Sequence, residues 1–446
     1  MAFGLPRSRE RGALLFPESG EHDHETEKEA PLRTKEMGLF SYEDQTVSEN
    51  DRTAPEAGGK ATTDLKTARG EIDAIDEELV RLFLKRLKVA RDVAYVKREK
   101  GGPITDPARE REILTRVSVE AGVENENAAR LFFSTLFAIS KARQRSILRG
   151  QSPLVDEIKA SAAAHAKAEG AFPSHTIVAC CGTEGAYAQQ AACRLVRVPT
   201  LIYFNSFEKV FEAVEQGLCP YGVLPVENSA SGSVIPVYDL MQRHRFHIAR
   251  ALRLKVDHVL LARPGVKFED VKEVMSHPHA IAQCAEFFRS HSDIKATPGT
   301  NTAVAAKAVA ASDRRDLAVI ASRACAELYG LDVIAEHIQD ATYNYTRFIC
   351  ISKDLEIYPE ANKISIMLSV PHRPGALAEI ISKFAAIDVN LTKLESRPMP
   401  GMDFEFRFVF DFMASPLDPA VQCLLSELSQ DPEIEHFDFL GAYVEA

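Results

Sequence analysis

Two groups of polar residues stand out for the chemistry they could do. In the first, Arg86 interrupts an apolar seam in which Ile72, Ile75, Leu79, Leu82, Val89, Val93 and Val96 recur at steps of three and four. A buried guanidinium without a partner is costly, so something anionic should meet it. Lys97 follows eleven residues on, about three helical turns, and points to nearly the same side. Asp106, Arg109 and Glu110 cluster in the first turns of the next helix, while Ser140 and Gln144, four apart, share a face further on. Arg69 lies about 26 Å along the helix axis from Arg86, too far to share its site within one chain but able to reach a partner's. In the second group, Asn344-Tyr345-Thr346-Arg347-Phe348 runs into the apolar Ile349-Cys350-Ile351. This reads as a loop feeding a buried strand, with an amide, a hydroxyl and a guanidinium at the mouth of a sheet. Thr346 could do chemistry there or simply cap the strand. Snorkelling, capping and solvated ion pairs explain any one of these residues, but explain the helical set poorly.

The elements that must hold these groups follow from periodicity. Residues 1–60 are polar and aperiodic, and are expected to form a disordered tail. The region 61–150 is helical: the seam makes one long helix ending at Gly101-Gly102-Pro103, and Asp106-Pro107 caps the next, which stops near Gly122 before a third. One helix much longer than its neighbours leaves its seam uncovered, so a homodimer or higher homo-oligomer is expected. Residues 151–173 are rich in Ala, Lys, Glu and Ser and read as a linker, helical or flexible. Strands and helices alternate over 174–355, with strands expected at 176–181, 200–204, 221–226, 258–261, 273–276 and 317–321. Residues 361–446 follow the order βαββαβ, a ferredoxin-like pattern.

Composition narrows the partners. At 446 residues the chain should hold two to four domains. A net charge of −11 argues against nucleic acid as partner, yet leaves room for small anions held by local Arg and Lys. Eight cysteines without a CxxC pair or Cys/His ligand spacing point to a reducing cytoplasm and no structural metal; Cys350 and Cys423, in apolar runs, should pack as small hydrophobes. No stretch is apolar for long enough to span a membrane, and Arg7, Arg9 and Arg11 are not followed by a signal-like apolar segment.

These residues carry resemblances to known families. Arg69, Arg86, Lys97, Asp106-Pro107-Ala108-Arg109-Glu110, and Ser140 with Gln144 resemble the all-helical chorismate mutases. The resemblance implies an intertwined helical dimer, each site borrowing an Arg from the other chain. Arg86 and the second chain's Arg69 would hold the two carboxylates of chorismate, and Lys97 and Gln144 would donate to the breaking ether oxygen. Glu110 would take the ring hydroxyl, with Asp106, Arg109 and Ser140 completing the pocket. This intramolecular rearrangement needs only a folded substrate and stabilised charge. Counting from Arg130-Leu131-Phe132 leaves Arg143 as an alternative to Gln144.

Gly182-Thr183-Glu184-Gly185-Ala186-Tyr187, Pro225-Val226-Glu227-Asn228-Ser229 with Ser231-Gly232, Ser276-His277-Pro278 with Gln283-Cys284, Asn301-Thr302-Ala303 and Asn344–Phe348, in that order, resemble prephenate dehydratase. This implies two α/β lobes with prephenate in the cleft between them, losing carbon dioxide and a hydroxyl to yield phenylpyruvate. Thr346 would donate to the leaving oxygen beside Glu227, Asn228 and Gln283, with Ser276, Thr302 and Arg347 as further prephenate contacts. The Ser usual after the aromatic of the glycine turn is Ala188 here. Gly375-Ala376-Leu377 and Glu395-Ser396-Arg397-Pro398 resemble the amino-acid-binding regulatory domains called ACT, implying feedback by phenylalanine. His244, His247, His277 and His279 show no ligand spacing, and neither metal nor organic cofactor is implied. The expected protein is therefore a bifunctional enzyme; a non-catalytic aromatic-acid binder and an enzyme with one surviving activity are the rivals.

Overall fold

The structure, a computed structural model, describes residues 64–100, 104–149, 152–167, 172–398 and 406–446. The tail and the glycine pair 101–102 lie outside the described residues. Helix α1 (Leu65–Lys100) buries only Ala90 and Ala94. Its seam is open: Ile72, Ile75, Leu79, Leu82, Val89, Val93 and Val96 are 40–59% exposed. Helix α2 (Pro107–Arg149) starts where expected, because Asp106 Oδ1 accepts from Arg109 N at 3.0 Å. Gly122 breaks it at φ 73, ψ 166, a conformation open to glycine, which is why the sequence reads as two helices there.

The expected linker is a packed element instead. Helix α3 (Pro153–Lys167) places Ile158, fully buried, among Phe410, Leu424 and Leu425 of the C-terminal module. Its Ser161 hydroxyl donates to Leu355 O at 2.7 Å and accepts from Ile357 N at 3.0 Å. Leu154, Ile158 and Ala162 recur at helical spacing, and burying a side chain like Ile158 stabilises by roughly 1.5–3 kcal/mol. A composition rich in Ala and Lys hides so narrow a stripe.

The α/β region forms two sheets. Strands β1 (His175–Cys181), β2 (Val198–Phe204), β3 (Tyr221–Asn228), β4 (Gly232–Ser233) and β5 (His247–Lys255) build the first lobe. Strands β6 (His258–Ala262), β7 (Glu273–Ser276), β8 (Lys295–Pro298), β9 (Leu317–Ser322) and β10 (Asp332–Ala335) build the second, in the order β10-β6-β9-β7-β8. The chain then returns, and β11 (Tyr345–Ser352) inserts antiparallel between β3 and β5 of the first sheet, giving β2-β1-β3-β11-β5. The two crossings between lobes are tied by Val256 N donating to Asn344 O at 2.8 Å. Among the described residues β4, β5, β8 and β10 were not foreseen; in β5, Arg250, Arg253 and Lys255 break the apolar run.

The C-terminal module has strands β12 (Lys363–Ser369), β13 (Asn390–Pro398), β14 (Phe406–Met413) and β15 (Phe437–Tyr443), in the antiparallel order β13-β14-β12-β15. Helices Ala376–Ala385 and Pro419–Ser429 complete the βαββαβ order. Period-2 alternation splits the sheet: Ile364, Ile366, Leu368, Phe410 and Phe412 join the cluster that includes the helices, while Met367, Val409 and Tyr443 join the first lobe's core. The chain end continues the union, with Ala251 N donating to Val444 O at 3.0 Å and Arg253 N to Ala446 O at 3.0 Å. Gly441 (φ 144) is required at this seam: a β-carbon there would sit 2.5 Å from Ile248 O. Cys350 is buried as expected, whereas Cys423 is exposed on its helix. No helix among the described residues is long and apolar enough to cross a membrane.

Candidate active sites

In the α/β region a polar network spans both lobes. Asn228 Oδ1 accepts from Ala230 N at 3.0 Å and Ser231 N at 2.9 Å, which fixes the amide's orientation. Its Nδ2 therefore faces Asn344 Oδ1 at 2.8 Å and Thr346 Oγ1 at 2.9 Å. Asn344 Nδ2 donates to Gln283 Oε1 at 3.0 Å, and His258 Nε2 lies 3.0 Å from the same oxygen. Because that oxygen only accepts, His258 must carry its proton on Nε2, leaving Nδ1 to face the Tyr187 hydroxyl at 3.3 Å. Burial pushes the His258 imidazole below its ordinary value, although Gln283 pulls the other way. Burial likewise raises the Tyr187 phenol.

Thr346 is thus held by its oxygen alone. It accepts from Asn228, and its own proton has no acceptor among the described residues. A hydroxyl that receives a hydrogen bond is a better donor, so this geometry suits proton donation towards the cleft. The glycine turn closes onto the second lobe. Gly185 (φ 88) offers its carbonyl to Ser322 Oγ at 3.1 Å, and a β-carbon on Gly182 (φ 109) would come within 2.9 Å of Asn301 Nδ2. Asn301 caps the helix Thr302–Ala311 through Ala303 N at 2.8 Å, with Thr302 at its first turn.

Three of the expected prephenate contacts lie elsewhere. In the β3–β11 ladder Thr346 pairs with Asn228 and Arg347 with Glu227, so the two pairs face opposite sides of the sheet. Arg347 is turned away from the Thr346 network and meets Asp411 at 2.5 Å, Glu445 at 3.1 Å and the Tyr443 hydroxyl. Burial alone would lower its guanidinium, but Tyr443, Asp411 and Glu445 together raise it. Glu227 goes with it, 3.0 Å from Lys393 and 3.7 Å from Arg347, at the edge of a cavity of ≈ 430 Å³ on that far side. Ser276 is fully buried and spends its hydroxyl on Ile320 O at 2.6 Å. Conversely Tyr187, Ser231 and Asn344 belong to the network although the sequence showed them only within motifs. His258 had no sequence signal at all.

In the helical region Arg86 donates to Leu136 O at 3.0 Å and to the Ser140 hydroxyl, and lies 5.7 Å from the centre of the Phe137 ring. Burial lowers its guanidinium, and no carboxylate pairs with it among the described residues. One turn beyond Ser140, Gln144 is buried with Oε1 unpartnered among the described residues, while Arg143 is exposed; Gln144 is the inward residue. Lys97 Nζ donates to Ile104 O at 2.8 Å, and Glu110 pairs with Lys141 at 3.3 Å, a cation the sequence reading overlooked. Arg109 points outward to Glu112 at 2.6 Å, Asp106 serves as the cap, and Arg69 is exposed on α1.

The C-terminal residues also divide. Gly375 (φ 82), Ala376 and Leu377 lie by a cavity of ≈ 400 Å³ that Phe406 and Phe408 line from the sheet. Ser396 pairs with Phe408 in the ladder, on that side. Glu395 and Arg397 face the other way: Glu395 accepts from Ser233 Oγ at 2.5 Å, and Arg397 lies 5.5 Å from the centre of the Tyr238 ring.

A two-lobed α/β unit with a polar cleft, preceded by a helical region holding a partly buried arginine and followed by a βαββαβ module, defines the class. The prephenate dehydratase family model matches residues 178–356, and the chorismate mutase type II model matches 68–145. Arogenate dehydratase/prephenate dehydratase 2 of Arabidopsis thaliana is 38% identical over 269 residues, 58% of this chain and 70% of that protein. Its paralogue, arogenate dehydratase/prephenate dehydratase 1, is 38% identical over 56% of this chain and 67% of its own. A prephenate dehydratase from Arthrobacter aurescens, solved in complex with L-Phe, is 30% identical with a TM-score of 0.55, over 60% of this chain and 89% of that one. A structure described as a novel type of quorum quenching acylase, GqqA, is 28% identical with a TM-score of 0.54, over 60% and 98%. The chain belongs to the prephenate dehydratase family and carries a chorismate mutase type II domain ahead of the dehydratase domain.

Proposed function

We propose that this chain is a bifunctional cytoplasmic enzyme that rearranges chorismate to prephenate and converts prephenate to phenylpyruvate, under feedback by phenylalanine. The observation that carries the dehydratase is the Thr346 hydroxyl, oxygen held by Asn228 and proton free for the leaving hydroxyl of prephenate. Gln283, Asn344, Tyr187 and His258 keep that amide aligned across the lobes, and Thr302 offers a further contact at a helix start. Relatives are named for arogenate as well as prephenate. A mutase domain in the same chain favours prephenate, because its product needs no intervening amino transfer.

For the mutase, Arg86, which has no carboxylate partner among the described residues, and the exposed Arg69 of a second copy bind the two carboxylates of chorismate. Lys97 and Gln144 serve the ether oxygen, Glu110 the ring hydroxyl, and Ser140, Asp106 and Arg109 shape the walls. The open seam of α1 supports the homodimer this requires. The βαββαβ module acts as an ACT-type sensor. Gly375–Leu377 and the Phe406/Phe408 wall suit an aromatic amino acid, and a similar dehydratase was solved with L-Phe. Neither reaction calls for a metal or organic cofactor. The test is to supply chorismate and quantify both products with and without phenylalanine. Absence of prephenate sinks the mutase, accumulating prephenate sinks the dehydratase, and an unchanged rate in saturating phenylalanine sinks the feedback.

A further inference from the structure

Thr346 and Arg347 are consecutive on β11, so their side chains leave opposite faces of the sheet from one shared peptide. On the cleft face Thr346 is held by a single side-chain hydrogen bond, from Asn228. On the far face Arg347 is 6% exposed and Asp411 of β14 only 1%. Their contact at 2.5 Å joins positions 64 residues apart and links the dehydratase sheet to the C-terminal module. Asp411 is itself fixed, since Ser365 Oγ donates to its other oxygen at 2.5 Å and lies 2.6 Å from the Tyr443 hydroxyl. Glu445 anchors the Arg347 Nε side at 3.1 Å and also takes Lys363.

On the β5 side the backbone ladder runs without interruption from Tyr345 to Cys350, but on the β3 side, which carries Asn228, it does not. The β3–β11 register shifts between Arg347 and Phe348, where β3 carries the extra residue Val226, one position beyond the residue that bears the hydroxyl. Such irregularities change local twist and re-aim side chains, so side-chain anchoring matters most where they occur. A grip on Arg347 from behind therefore sets the angle at which Thr346 emerges in front.

We propose that Asp411 is a positioning residue of the dehydratase, fixing Thr346 in the cleft through its hold on Arg347. This rests on Thr346 being the proton donor, and assigns to the module a role in catalysis that needs no effector bound. Displacing a catalytic group by about 1 Å can cost 10²-fold in rate.

The experiment uses the full-length chain and follows both reactions. Asp411→Asn keeps the side-chain shape but removes the charge. It should lower dehydratase kcat by about 10- to 100-fold, with KM for prephenate little changed and mutase kcat at its wild-type level. Wild-type dehydratase kcat in this variant overturns the proposal, as does a loss confined to KM or a parallel fall in both activities. Should Asp411→Asn not fold, the double variant Arg347→Met/Asp411→Leu removes both charges and leaves no lone buried ion. It should show normal mutase turnover and the same slow dehydratase, and wild-type dehydratase kcat there also overturns the assignment. Ser365→Ala, which removes one bond to Asp411, should give a smaller loss of the same kind, and no loss counts against it. Thr346→Ala run in parallel separates the two ideas. If it retains full dehydratase activity, the donor assignment itself has failed. If it is inactive while Asp411→Asn is normal, only the positioning role has.

Discussion

The helical and α/β regions each place a candidate catalytic residue directly before an arginine that reaches into the C-terminal module. In β11 the pair is Thr346-Arg347; in α2 it is Gln144-Arg145, with Arg145 buried and meeting Asp431 at 3.1 Å and Glu427 at 3.6 Å. The similarity ends there. Arg347 is enclosed by Asp411, Tyr443 and Glu445, in a sheet whose edge is zipped to the module by backbone hydrogen bonds. Arg145 shares its two carboxylates with Lys383, 2.6 Å from Glu427 and 3.6 Å from Asp431. The dehydratase sheet is built into the module, whereas the mutase helix rests on it. The open seam of α1 points the same way: the α/β region buries its core within one chain, and the helical region does not.

The comparison predicts that damage stays local when it falls on the chemistry. Thr346→Ala should cost the dehydratase on the order of 10²–10⁴-fold, the range for losing a positioned proton donor, while mutase turnover is unchanged. Coupled and separate assays of the two reactions check this, and a mutase that fell with it would break the separation of the regions. Next in size, Leu79→Glu places a charge in the exposed seam. Sedimentation should show a shift from dimer to monomer and mutase activity should fall on the order of 10²-fold, as expected for losing charge-stabilising donors. The dehydratase should survive, because nothing in its cleft depends on the seam.

How far the sequence foretold this depended on what kind of pattern was needed. Helical periodicity marked α1 and α2, and even the break at Gly122, because a positive-φ glycine ends a stripe visibly. Motif order located the cleft. What failed was direction on a strand. Glu227 and Asn228, like Thr346 and Arg347, are neighbours that alternate faces, and grouping all four around prephenate ignored a period of two. The antiparallel register that sorts them is a tertiary fact, visible only once β11 returns from the second lobe to lie beside β3. Strand β5 was missed because cations interrupt its apolar run: Arg253 and Lys255 are exposed, Arg253 meeting Glu445 at 2.5 Å where the chain end joins this strand. His258 enters the network through its place at the lobe crossing, which no local pattern announces.

A smaller effect should appear with pH. The folded-state value of His258 lies below the ordinary 6.5 because burial disfavours the imidazolium. Between 6.5 and that lowered value the unfolded chain binds a proton that the folded chain does not, so stability falls as pH drops through the window and is unaffected above it. His247 and His277 are shifted in the same direction, so the test must be differential. Urea unfolding of wild type against His258→Asn across that window should show a shallower decline in the variant. Parallel declines would mean that His258 is not the buried neutral group the network requires.

The smallest expected effect is the sharpest test of the contrast between the two arginines. Removing Arg145 leaves Asp431 and Glu427 still paired with Lys383, so no carboxylate is orphaned in a buried site. Breaking a buried pair is severe, about 3–5 kcal/mol, when an uncompensated charge remains; here that condition is absent. Arg145→Ala should therefore lower stability by about 1 kcal/mol and mutase kcat only a few-fold, through slight freedom of Gln144 on the same turn. Melting curves and mutase kinetics measure both at once. A 10²-fold mutase loss, matching the one expected for the dehydratase in Asp411→Asn, would mean that the module grips both catalytic segments equally and that α2 is no mere lodger on its surface.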